Sequence, residues 1–162
     1  MTSGVSAELL KQLSAASQTI NQATDEFNEQ IKALEEALAS YNIGVSAWVS
    51  AYDETSDHTD DNGGIQAIVS TEYFLGYQKY GGKWSLMAAT EEDYINRSSN
   101  QAERTEWLFR DAPRNVRIKT IPAVPTLLEA LIKVAHRLAV DFAKQTADAR
   151  ALTESIRPKK GQ

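Results

Sequence analysis

The 162 residues include no cysteine. That excludes a disulfide framework, a thiolate nucleophile and a cysteine-ligated zinc site. Histidine is nearly as scarce: His58 and His136 stand 78 residues apart, and no His-Glu-x-x-His pair occurs. The Gly-x-Ser-x-Gly elbow, the Gly-x-x-x-x-Gly-Lys-Ser/Thr loop and the Gly-x-Gly-x-x-Gly fingerprint are all missing. No apolar run approaches the roughly 18 residues of a membrane span. The opening Met1-Thr2-Ser3-Gly4-Val5-Ser6 lacks the basic and apolar stretches of a signal peptide. Repeats and low-complexity linkers are absent too. These absences lead to the expectation of a cytoplasmic protein without membrane partner, metal or cofactor, and to a reading as an enzyme being disfavoured. A chain of this length buries roughly 70% of its unfolded surface as one domain, here 1–162 with flexible ends at about 1–5 and 157–162.

What is present is unevenly charged. Residues 1–72 hold two cations and twelve acids, a net −10, whereas residues 73–162 hold fifteen cations and ten acids, a net +5. The overall charge of −5 repels phosphate backbones, so nucleic acid is not the expected partner. Packing of the acidic half against the basic half, within one chain or between copies, is the simplest use of the asymmetry.

Two long helices bracket the chain. From about Ser6 to Ser40, Leu13, Ala16, Ile20, Ala23, Phe27, Leu34, Ala37 and Tyr41 recur at heptad spacing, with Gln30 in the skipped place. Asn42 and Gly44 supply a stop. From about Ala123 to Ile156, Leu128, Leu131, Ala135, Leu138, Phe142, Ala149, Leu152 and Ile156 keep the same spacing. At 1.5 Å per residue each helix spans about 50 Å, more than the roughly 40 Å diameter of a compact chain of this size.

The middle reads as an antiparallel meander of about four strands. Residues 45–52 alternate Val45, Ala47, Val49 and Ala51 against Ser46, Trp48, Ser50 and Tyr52. A polar loop, 53–64, precedes a β-branched and aromatic run, 65–80, with a break near Ser70. Gly81-Gly82 forms a two-residue hairpin turn. Residues 83–90 return, a second polar loop covers 91–103, and a short strand fills 104–109. Asp111 caps a short helix running through Pro113 to Ile121. Helices at the ends and strands in the middle make the fold α+β. Eight-residue strands are about 27 Å long, so such a sheet covers about half of either helix. The other halves need a partner.

Three groups of residues are candidates for function. Ile20, Phe27, Leu34, Leu131, Leu138 and Phe142 mark the helix seams as an interface. Asp25, Glu29 and Glu36 on one helix and Lys133, Arg137 and Lys144 on the other sit at matching spacings and could pair. Arg110, Arg114, Arg117 and Lys119 surround the short helix, the first three at one-stripe spacing, and suit an anionic ligand. Strand aromatics Trp48, Tyr52, Tyr73, Phe74, Tyr77, Tyr80, Trp84, Trp107 and Phe109 could stack a nucleotide beside those cations. The loop acids Asp53, Glu54, Asp57, Asp60 and Asp61 resemble a cation loop only in part, because His58 and Val69 stand where the first and last ligands belong. The leading expectation is a non-enzymatic protein that associates with itself, as a dimer first of all, and binds another protein. The second is a binder of a small anion or nucleotide.

Overall fold

The computed structural model describes residues 3–59, 65–94 and 102–156. They fall into two compact units, Met1–Asn42 and Ile43–Gln162, where the chain length alone suggests one domain. The first unit is the helix α1, Ser3–Ser40. It begins a turn earlier than the heptad pattern requires. It ends where Asn42 turns left-handed at φ 48° and donates its N–H to the Ala39 carbonyl.

The second unit is a four-stranded antiparallel meander followed by helices, confirming an α+β chain. Its strands are β1 (Ala47–Thr59), β2 (Ile65–Tyr80), β3 (Lys83–Tyr94) and β4 (Glu103–Leu108), in spatial order β1-β2-β3-β4. Gly81 and Gly82 take φ of 56° and 85° in the hairpin turn, the positive values that a two-residue connection requires. Three expectations are corrected here. Asp53–Thr59 is strand rather than loop, because β-branched Ile68, Val69 and Thr71 on β2 hold it in register from Asp53↔Glu72 to Asp57↔Ile68. β2 runs unbroken through Ser70. β3 continues to Tyr94 through the acids Glu91, Glu92 and Asp93. Sixteen residues make β2 about 54 Å long, so strand length does not limit how much helix the sheet can cover. Residues 60–64 and 95–101, the rest of both expected loops, lie outside the described residues.

A bulge at Ala51 changes which side chains share a face. Val49 pairs with Leu75 and Ser50 with Phe74, but the next aligned pair is Tyr52↔Tyr73. The extra residue rotates Tyr52 away from Trp48 and onto the face of Val49. That face also carries Leu75, Tyr77, Leu86 and Ala88, all buried. The short helix α2 (Arg114–Thr120) and the long helix α3 (Val124–Ile156) pack on it. They add the buried Val116, Thr120, Leu127 and Leu131 to the core.

The connection into α2 also differs from expectation. β4 ends at Leu108, and Phe109–Asp111 form a 3-10 turn with Phe109 fully buried. Asp111 does not cap α2. Ala112 precedes proline and is extended at φ −65°, ψ 149°, as a pre-proline residue prefers. The helix therefore starts only after Pro113. Residues 1–2 and 157–162 lie outside the described residues, whereas 3–5 belong to α1.

On the other face of the sheet, Trp48 lies over Gly76 and donates its indole N–H to Gln78 Oε1 at 3.1 Å. A Cβ on Gly76 would come within 2.3 Å of that ring. Gly76→Ala is expected to destabilise the protein by about 1–3 kcal/mol, read as a lower urea midpoint. An unchanged midpoint would show that the indole moves aside freely.

Candidate functional site

The four cations expected to gather on one anion do not converge. Arg110 sits in the 3-10 turn, exposed, 4.0 Å from Asp111. Arg114 is exposed at the first position of α2, and Arg117 is buried one turn later. Lys119 points back to the sheet. The pre-proline break explains the split, because Arg110 is cut off from the helical stripe that the spacing suggested.

Lys119 joins a polar cluster on the helix-covered face. Its Nζ donates to Glu54 Oε2 at 2.5 Å and to the Tyr73 hydroxyl at 3.2 Å. The Tyr73 hydroxyl donates to Glu54 Oε1 at 2.5 Å. The ammonium also lies 4.6 Å from the Tyr73 ring centroid and 5.1 Å from that of Tyr52, within cation–π range. The Lys119 hydrogen bond, with Tyr73 second, holds the Glu54 carboxyl below the usual carboxylate range. Burial, followed by the bond to Glu54, pushes the Tyr73 phenol up. The bond to Glu54 raises Lys119. A tyrosine made harder to ionise and a lysine made harder to deprotonate are poor nucleophiles and bases. The cluster instead clamps α2 to β1 and β2. Glu54, read from sequence as a loop acid, is the residue whose role the longer β1 changes most.

A second cation crosses the opposite face. The Arg104 guanidinium stacks 4.7 Å from the Trp48 ring and 4.9 Å from Phe74, while pairing with Glu106 at 2.8 Å and Glu91 at 3.5 Å. The partners of this partly exposed arginine all belong to its own sheet. Tyr77 and Trp84 stack at 5.6 Å and 18° on the helix-covered face, and Tyr52 meets Tyr73 edge-on. Trp48, Tyr52, Tyr73, Phe74, Tyr77 and Trp84 thus pack on one another or on cations of the same unit, whereas Tyr80 is exposed. Phe109 is in the turn, not on a strand. Among the described residues no group of three or more His, Asp and Glu is placed to hold a metal ion. Asp60 and Asp61 lie outside them.

The seam residues end up in different places. Leu131, expected in the interface, is 1% exposed on the stretch of α3 that packs against β1 and β2. Phe27 and Leu34 are half-buried, and Ile20 is 46% exposed. Leu138 and Phe142 are exposed. From His136 to Ile156 every residue of α3 is exposed, including Val140, Leu152 and Ile156. On α1 the exposed apolar residues are Leu9, Leu10, Leu13 and Ile20. The matched charges Asp25, Glu29 and Glu36, and Lys133, Arg137 and Lys144, are exposed as well. Where α3 leaves the sheet, a groove of about 290 Å³ opens between Gly44–Ser46 and Trp84 on one side and Val134, Arg137, Leu138 and Asp141 on the other. No described helix is long and apolar enough to cross a membrane. No family model, curated protein or solved structure matches the chain.

The clamp has a pH signature. Glu54 has a folded pKa below its unfolded one, so its contribution is present above the usual carboxylate range and lost as pH falls through the lowered value. Lys119 and Tyr73 are raised, so theirs is present below their ordinary values and lost as pH climbs through the raised ones. Glu54→Gln is expected to cost no more than about 1 kcal/mol near neutral pH, because water screens a pair this exposed. The difference from wild type should shrink as the pH is lowered below the usual carboxylate range, as urea unfolding at several pH values would show. A difference that persists in acid would mean that packing, not charge, carries the effect.

Proposed function

We propose that the protein is a non-enzymatic interaction protein that associates with itself and binds another protein through its long helices. The observation that carries this reading is the exposed half of α3. Leu138, Val140, Phe142, Leu152 and Ile156 are 39%, 68%, 58%, 65% and 71% exposed, and Leu138, Phe142, Leu152 and Ile156 fall on one heptad stripe. Contiguous exposed apolar surface marks interaction sites. A helical stretch of about 20 residues is marginal in water unless an amphipathic face is covered. A heptad seam is covered most simply by another helix. The exposed Leu9, Leu13 and Ile20 of α1 offer a second surface of the same kind for a different protein. The internally paired state of Lys119 and Arg104 leaves the binding role to the helices rather than to a charged pocket.

Phe142→Asp tests the reading. The substitution is expected to leave the far-UV spectrum of the sheet unit intact and to weaken self-association at least about a hundredfold, since a phenyl ring is lost from both copies. Sedimentation equilibrium measures it. A wild-type chain that is monomeric at every concentration would refute self-association.

A further inference from the structure

We infer that the outer edge of β4 is where a second copy of the chain adds, antiparallel, so that two four-stranded sheets become one of eight strands. This goes beyond the helix-mediated reading and uses a different surface. A sheet edge presents a row of unpaired backbone N–H and C=O groups, and it pairs with other strands unless something blocks it. The order β1-β2-β3-β4 leaves two edges, and they are not alike. β1 is bulged at Ala51, carries Asp53, Glu54 and Asp57 of one sign, and has α3 packed against it. A second β1 would meet like charge there. β4 pairs with β3 without a register shift. It has no proline and no lysine, and its charges Glu103, Arg104 and Glu106 are of both signs. The helices pack over β1, β2 and β3, and residues 103–106 are exposed.

The residues of β4 select the register. A two-fold axis normal to the sheet keeps the helices of both copies on one face and pairs residues that share a face. The symmetry centre therefore falls on a residue that faces itself. Only Thr105 or Glu106 at the centre lets the strand overlap along most of its six residues. A centre at Glu106 sets that carboxylate against its own copy, and like charges directly opposite are destabilising. A centre at Thr105 sets Arg104 opposite Glu106 of the second copy, Glu103 opposite Trp107 of the second copy, and threonine opposite threonine. Arg104 keeps the partners it has in its own sheet, including Glu106 at 2.8 Å. Two such ion pairs then stand side by side across the seam with opposite signs facing. Facing threonines are themselves a favourable cross-strand pair.

A single introduced cysteine reads this register, because the chain has none of its own. Full-length Thr105→Cys is expected to form a covalent homodimer under mild oxidation, its thiol facing the same thiol of the second copy. Glu103→Cys is expected to form none, because its own copy lies about 14 Å away along the strand. Equal dimer from both variants would show chance collision and overturn the inference. Sedimentation equilibrium in a Phe142→Asp background gives a second readout, which tolerates a poorly placed thiol and removes the contribution of α3. There Thr105→Lys is expected to weaken the remaining association about fivefold, since two ammonium groups then face each other, while Thr55→Lys on β1 changes nothing. A Phe142→Asp chain that is monomeric at every concentration, or one that Thr105→Lys does not weaken, would overturn the β4 seam and leave the helix reading standing. Wild-type association that survives Phe142→Asp but not Thr105→Lys would support the seam and contradict the helix reading.

Discussion

An α-helix in water keeps its shape only as far as something covers its apolar stripe, and α3 is covered for its first turns alone. Leu127 and Leu131 are buried in the sheet unit, whereas all residues from His136 to Ile156 are exposed. The helix is thus anchored at one end and unfinished at the other. Its sequence does not soften toward the free end, where Phe142, Leu152 and Ile156 continue the heptad. A stripe maintained beyond its cover is the feature from which the functional account follows.

The anchored end is secured by the sheet. Long pairing between β1, β2 and β3 provides an extended platform, and the bulge at Ala51 turns Tyr52 to the helix side, where Tyr73 and Glu54 receive Lys119. The opposite face is closed by Trp48 over Gly76 and by Arg104 across Trp48 and Phe74. Both clusters satisfy their charges within the unit. The exposed apolar residues of α1 and α3 lie outside both clusters.

Much of this was legible in the residues. Gly81-Gly82 announced the hairpin because only glycine takes two successive positive φ values without strain. The heptads announced both helices within a turn, and the order of helix, strands and helices announced the fold class. The strand ends were not legible. Asp53, Glu54 and Asp57 have loop propensity, and their extended form comes from pairing with β2, a non-local contact. The bulge has no local signature in Ser50-Ala51-Tyr52, so the face of Tyr52 was misjudged. The anion site failed at Pro113, whose effect on Ala112 separates Arg110 from the helix. Lys119 was identified as functional cation surface because spacing on a helix says nothing about a carboxylate arriving from a strand 65 residues earlier.

Amide hydrogen exchange of the full chain at two concentrations, one well below and one well above that at which dimers form, tests the central claim most directly. The account expects protection of the amides of residues 138–156 to rise with concentration, while the amides of β2 and β3 exchange alike in both samples. Protection of residues 138–156 that does not depend on concentration would contradict the claim that a second copy completes the helix.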